Sequence, residues 1–115
     1  MRIIGGKFKG KKLFLPNDKN TRPLKDMVKE SIFNLLQHSN KINIKLENSK
    51  ILDLFSGSGS FGLECLSRGA QNIFFFENYA EAIKVLKKNI LQFNENKKCN
   101  IFEKNCIDYF NSNKS

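Results

Sequence analysis

From Arg2 to Leu15 apolar residues alternate with Lys and Gly, in the run Ile3-Ile4-Gly5-Gly6-Lys7-Phe8-Lys9-Gly10-Lys11-Lys12-Leu13-Phe14-Leu15. The pattern predicts two short strands turning at Gly5-Gly6 or at Gly10, an N-terminal β-hairpin. Pro16-Asn17-Asp18 breaks the alternation. Thr21-Arg22-Pro23 then opens a helix, since proline is tolerated in a first turn. Val28, Ile32, Leu35 and Leu36 form an apolar stripe on one face of that helix, which lets Lys25, Lys29 and Glu30 point outward. Ser39 to Ser49 is polar and irregular and reads as a connector.

After Lys50 the pattern changes. Ile51-Leu52-Asp53-Leu54-Phe55 is a nearly continuous apolar run, as in a parallel strand buried on both faces. Ser56-Gly57-Ser58-Gly59-Ser60-Phe61-Gly62 is a glycine-rich turn. Phe61 to Arg68 predicts a helix stopped by Gly69. Ile73 to Phe76 predicts a second buried strand ending at Glu77. Glu81 to about Phe93 predicts a helix, with Ile83, Leu86 and Ile90 on its apolar face. Asn100 to Glu103 predicts a weaker third strand, and Ile107 to Phe110 the start of another helix. The order β-α-β-α-β indicates a doubly wound α/β sheet with right-handed crossovers.

A chain of 115 residues is one domain in size, and 40% hydrophobic with 27% charged residues is not the composition of a disordered chain. No apolar run approaches the roughly 20 residues that cross a bilayer, and no signal peptide opens the chain, so a cytoplasmic protein is expected. Cys65, Cys99 and Cys106 form no C-x-x-C pair, and with the single His38 no metal site is expected. His38 closes the first helix, where a positive charge favours the helix dipole. Charge is unevenly placed. Residues 1–50 hold twelve basic and four acidic side chains, whereas residues 51–115 hold eight and seven. Arg2, Lys7, Lys9, Lys11 and Lys12 have no acid among them in the first fifteen residues. That asymmetry points to a polyanion, nucleic acid in particular, bound by the N-terminal part.

Gly57, Gly59 and Gly62 fit G-x-G-x-x-G between a strand and a helix, and Glu77 follows at the end of the next strand. In a dinucleotide-type site the glycines allow close backbone approach and the acid accepts ribose hydroxyls. Asp53, four residues before Gly57, sharpens the choice of ligand. A carboxylate there repels a pyrophosphate but favours the ammonium and sulfonium of S-adenosylmethionine, so Asp53 with Glu77 favours that cofactor over NAD or FAD. A P-loop is excluded, because no Gly-Lys-Ser/Thr follows the turn.

The segment Asp53-Leu54-Phe55-Ser56-Gly57-Ser58-Gly59-Ser60-Phe61-Gly62-Leu63-Glu64, with Ser67-Arg68-Gly69-Ala70, resembles the cofactor motif of the RsmD family, the bacterial 16S ribosomal RNA guanine-N2 methyltransferases. The opening Met1 to Gly10 is similar too, as is Thr21-Arg22-Pro23 with Asp26, Val28, Lys29, Glu30, Phe33 and Asn34. The resemblance implies a Rossmann-like class I S-adenosylmethionine-dependent fold and methyl transfer to the exocyclic N2 of a guanine in 16S rRNA. It implies that Asp53, Phe55, Ser56, Gly57, Gly59 and Gly62 hold the methionine end and Glu77 the ribose. Arg2, Lys7, Lys9, Lys11, Lys12 and Arg22 would contact RNA, with 16S rRNA or the 30S particle as partner and a monomer as the complete enzyme. Residues 1–49 would form the RNA-contacting extension and residues 50–115 the N-terminal half of the cofactor-binding domain.

There are two departures from the family pattern. Asn105 stands where the family has an Asp that contacts the adenine amino group; an amide oxygen can accept the same hydrogen bond without charge. The family's catalytic Asn/Asp-Pro-Pro-aromatic motif is absent, since Pro16 and Pro23 are the chain's two prolines. No catalytic residue is therefore assigned. The expectation is a truncated gene product or partial sequence, with about three strands of a seven-stranded sheet and no activity of its own. The competing class is a non-catalytic RNA- or cofactor-binding module. A small-molecule methyltransferase or NAD enzyme is disfavoured by the basic N-terminal motif.

Overall fold

The computed structural model describes residues 1–16, 25–39 and 45–112. Helix α1 spans Asp26–His38, strand β1 Lys50–Asp53 and helix α2 Ser60–Ser67. Strand β2 spans Asn72–Phe76, helix α3 Ala80–Leu91, strand β3 Cys99–Phe102 and helix α4 Cys106–Ser112. The three strands form one parallel sheet in the order β1-β2-β3, with Asp53 opposite Phe75 and Phe76 opposite Phe102.

Alternation along β2 assigns the two faces of the sheet. Ile73 and Phe75 point into a core shared with Phe33 of α1, Leu63 and Leu66 of α2, and Leu86 and Ile90 of α3. Phe74 and Phe76 point the other way, where Phe76 stacks on Phe102 at 4.7 Å and meets Tyr109 of α4 at 5.2 Å. One face thus carries α1, α2 and α3, and the other carries α4, the layering of a doubly wound sheet.

This layering corrects the expectation that β1 is buried on both faces. Leu52 lies opposite Phe74 on the α4 side, and its side of the sheet is covered too sparsely to reach it; it is 57% exposed. Asp53 lies opposite Phe75 and points at the helical side.

The N-terminal hairpin is shorter than predicted. A single antiparallel bridge joins Arg2 to Lys12, flanked by Ile3 N–H to Lys11 O and Leu13 N–H to Met1 O, both 2.9 Å. Residues 5–10 turn instead of extending, because Lys7 N–H and Phe8 N–H are drawn to the Ser67 carbonyl (2.7 Å) and Ser67 Oγ (2.9 Å) at the end of α2. Ile3 and Leu13 are buried in the common core, so the segment is packed onto the sheet domain.

Helix α1 differs in start and in face. Lys25 is extended and the helix begins at Asp26, while Thr21, Arg22 and Pro23 lie outside the described residues. Its inward face is Lys29 and Phe33, four residues apart, and Val28 and Leu35 are exposed. Lys29, expected to point outward, is fully buried, because an internal carboxylate receives it: Glu64 of α2 lies 3.3 Å away, and both side chains are inaccessible to solvent.

Candidate functional site

The strands deliver Asp53, Phe76 and Phe102 to one edge of the sheet, their carboxyl ends, where open α/β sheets bind ligands. The turn after β1 is anchored there by its own backbone. Ser56 N–H donates to Phe76 O (3.1 Å), Ser56 Oγ to Asp53 O (2.8 Å) and Gly59 N–H to Ser56 O (2.8 Å).

The three glycines serve different ends. Gly57 and Gly59 have φ of 55° and 88°, the left-handed region that side chains disfavour. A Cβ on Gly57 would meet open space, so this glycine leaves the outer side of the turn clear for a ligand. A Cβ on Gly59 would lie 2.5 Å from Leu86 Cδ1, and one on Gly62 would run into the Phe75 ring. These two let α2 and α3 approach the sheet.

Glu77 connects the turn to the end of β2. Its Oε1 accepts Gly57 N–H (2.7 Å), and its Oε2 accepts Asn78 N–H (3.1 Å) and Tyr79 N–H (3.0 Å) at the start of α3. A carboxylate offers about four lone-pair sites, so capacity for a ligand hydroxyl remains. Asp53 sits beneath the turn, 9% exposed, with Oδ2 accepting Gly62 N–H at 3.3 Å. Burial pushes its carboxyl up to about 6, with the nearby Glu77 adding to the rise and the Gly62 and Phe55 amides opposing it. The pair of acids suits a cationic, hydroxyl-bearing ligand and disfavours a pyrophosphate.

A shallow cleft runs between the turn and the end of β3, lined by Phe55, Phe76, Glu77, Lys104 and Asn105 among others. The structure therefore brings Phe55, Glu77 and Asn105 to one opening, whereas Asp53, Ser56, Gly59 and Gly62 do not line it: Asp53 lies opposite Phe75, and Gly59 and Gly62 face Leu86 and Phe75 on the helical side of the sheet. Phe55 is 77% exposed. Asn105 Oδ1 accepts Ile107 N–H (2.8 Å) and Asp108 N–H (3.4 Å), so the acceptor expected to meet an adenine caps α4. Burial pushes the Cys65 thiol up to about 12 and that of Cys99 to about 11, which leaves neither as a thiolate nucleophile at neutral pH.

The basic N-terminal residues lie elsewhere on the domain, and several are paired. Arg2 Nε meets Asp26 at 3.0 Å and Lys7 Nζ meets Glu95 at 2.8 Å. Lys11 Nζ donates to Gln92 O at 2.8 Å and lies over the Phe93 ring. Lys9 and Lys12 are exposed, and Arg22 lies outside the described residues.

Two buried polar constellations escape a reading of the sequence. Glu64 accepts Ile4 N–H (3.0 Å), Gly5 N–H (2.9 Å) and Arg68 Nε–H (2.9 Å), and forms an ion pair with Lys29 Nζ. Its i,i+4 spacing to Arg68 is the available signal. Asn89 of α3, also fully buried, holds Phe14 and Ser58 by their backbones, and its place on the same helix stripe as Leu86 and Ile90 is the one mark of an internal position.

The family described as Conserved hypothetical protein 95 matches residues 1–115. The ribosomal RNA small subunit methyltransferase D of Haemophilus influenzae is 41% identical over 90 residues, covering 78% of this chain and 44% of that protein. The protein of the same name from Escherichia coli K12 is 38% identical over 90 residues, covering 78% of this chain and 42% of its own length. Among solved structures, "Putative methyltransferase yhhF from Escherichia coli" superposes with a TM-score of 0.79 at 30% identity, over 96% of this chain and 55% of that one. The chain thus spans about half the length of the relatives it matches. A class I methyltransferase sheet, a glycine turn between two acids and this likeness along the whole chain agree: the chain belongs to the Conserved hypothetical protein 95 family, the RsmD-family methyltransferases.

Proposed function

We propose that this chain supplies the S-adenosylmethionine-binding half of an enzyme that methylates the exocyclic N2 of a guanine in 16S rRNA, in the cytoplasm, on the RNA or the 30S particle. The observation that carries the reading is the pair Asp53 and Glu77 on either side of a glycine turn whose Gly57 faces open space. When bound, the cofactor supplies a methyl group made electrophilic by the sulfonium. Glu77 would take the ribose hydroxyls while still holding the Gly57 amide. Asp53 would neutralise the positive end of the ligand, with the Phe55 ring beside it. Asn105 would set the far wall through its cap on α4. Residues 1–49 would carry RNA contacts through Lys9, Lys12 and Arg22, with Arg2, Lys7 and Lys11 available on exchange of their internal partners. No residue of these 115 is assigned to holding the target amino group, and the complete enzyme is taken as a monomer.

Titration calorimetry tests the cofactor. S-adenosylmethionine should bind, and Glu77→Ala, which removes the diol acceptor, should weaken it by about tenfold or more. Tighter binding of NAD than of S-adenosylmethionine would overturn the reading. A second reading, a binding module without chemistry, is favoured by one feature: the 115 residues contain no adjacent prolines and so no Asn/Asp-Pro-Pro-aromatic motif. Tritiated methyl transfer to 30S particles tests this second reading. Incorporation by the 115 residues alone would refute the module and would place the chemistry on other residues of the chain.

A further inference from the structure

The glycine turn is held from an unexpected side. Asn89 is fully buried on α3. Its Oδ1 accepts Phe14 N–H at 2.7 Å, and its Nδ2 donates to Phe14 O at 3.0 Å and to Ser58 O at 2.8 Å. It treats Phe14 as a neighbouring strand would, taking both backbone groups of one residue, and gives its remaining proton to the turn. The Ser58–Gly59 peptide is planar, so holding its carbonyl directs its N–H the opposite way, where it donates to Ser56 O at 2.8 Å. A second buried side chain repeats the arrangement on the other side of Gly59. Lys29 Nζ donates to Arg2 O at 2.7 Å and to Ser60 Oγ at 3.1 Å. The two serines that bracket Gly59 are thus each tied, through one buried side chain, to the basic N-terminal segment.

We infer that Asn89 is a positioning residue that sets the glycine turn from the N-terminal segment, so that the state of residues 1–14 is felt at the cofactor site. The inference rests on the turn being the cofactor site proposed above. An apolar side chain at position 89 could fill the same volume, but it would leave the buried Ser58 carbonyl and both backbone groups of Phe14 without this partner. Because both ends meet at one carboxamide, a ligand that orders either end favours the other, and by linkage the effect is reciprocal.

Amide hydrogen exchange on the ligand-free 115-residue chain, read by NMR, tests the tie without any cofactor. Asn89→Ala removes the three bonds to Phe14 and Ser58, together with the one that Asn89 Oδ1 accepts from Gln92 Nε2 at 3.2 Å. Phe14→Pro removes the Phe14 N–H from outside the helix and leaves the residues of α3 unchanged, at the loss of the exposed contact between the Phe14 ring and Lys88; it keeps the test alive where the first variant does not fold. Each should speed exchange at Gly57 and Gly59 by about tenfold, while the amides of Ile73 to Phe76 change by less than about twofold. The double variant should exchange no faster than Asn89→Ala alone, because both changes act on one connection. Unchanged turn amides would overturn the inference. So would equal acceleration of the β2 amides, which marks a general loss of stability, or additivity in the double variant. Titration with S-adenosylmethionine is the separate arm: Phe14→Pro should weaken binding by several-fold. If the parent chain fails to bind it, the cofactor reading falls, and the exchange result still decides the tie.

Discussion

Asp53 should make the fold less stable at neutral pH than it would be with an amide in its place. Its carboxyl is carried from 3.8 to about 6, first by burial and further by Glu77. A raised acid is favoured in the fold in its protonated form. Its contribution is complete below about 3.8, declines as pH rises through about 6, and has reached its full cost above that. The shift corresponds to about 3 kcal/mol, an upper figure because the group keeps some solvent contact. Asp53→Asn keeps an oxygen for the Gly62 N–H but brings an NH2 that must find a partner. The net gain is therefore about 1–3 kcal/mol at pH 7.5, or about 5 °C in Tm per kcal/mol for a chain of this size. Urea unfolding of both proteins at pH 4, 5, 6 and 7.5 measures it. The gap should be smallest at pH 4, open between 4 and 6 and stay level above. S-adenosylmethionine should stabilise the parent chain and not the variant, since only the parent offers a buried negative charge to the cation. A variant less stable than the parent at pH 7.5, or a gap independent of pH, would refute the reasoning.

Three further outcomes follow from the packing. Glu64→Ala strands the buried Lys29 ammonium and two backbone amides, and should cost about 3–5 kcal/mol in urea unfolding, with Lys29→Met in the same background recovering part of it. Gly62→Ala drives a methyl into the Phe75 ring and should cost about 1–3 kcal/mol through overpacking, read by the same unfolding curves. Neutralising Lys9 and Lys12 to Gln should flatten the salt dependence of 16S rRNA binding by about 0.7–0.9 of a unit of slope for each phosphate that is no longer neutralised, as filter binding over a salt series would show.

The parts of this fold legible in the sequence are those decided over a short stretch of chain. β2 is visible because Ile73 to Phe76 is apolar throughout, and the glycine turn because its neighbours in sequence are its neighbours in space. Gly69 marks the end of α2 for the same local reason. What cannot be read depends on partners far along the chain. Lys29 looks like a surface lysine until Glu64 is placed beside it. Asn89 looks like a surface asparagine until Phe14 arrives on α3. The apolar stripe of α1 misleads because the helix turns Phe33 and Lys29 inward, toward Phe61 and Glu64, and leaves Val28 and Leu35 outside. The hairpin shrinks to one bridge because the end of α2 offers its middle residues better backbone partners than they offer one another. At the site, residue types and order point to Asp53, the glycines and Glu77. Their division of labour is not visible: Asp53 and Gly62 form a buried pair, and Asn105 commits its oxygen to α4.

The same long-range pairing changes what the basic N-terminal half can do. Counted along the chain, its lysines and arginines form one positive field, but the fold divides them. Lys29 is inside the protein and neutralised by Glu64, so it offers nothing to a polyanion. Arg2, Lys7 and Lys11 have internal acceptors in Asp26, Glu95 and Gln92 O. A phosphate that takes one of them gains only the difference between two partners. Each such exchange also loosens the segment from α1 or from the stretch that follows α3. Lys9 and Lys12 lie exposed on the turn and the returning arm, and a phosphate gains their full interaction without disturbing the fold. Charge number therefore overstates the surface open to a polyanion, and the segment has a structural part to play besides. Its paired cations and its buried Ile3 and Leu13 fasten it to the domain, and that fastening is what allows Phe14 to reach Asn89 and, through it, the glycine turn.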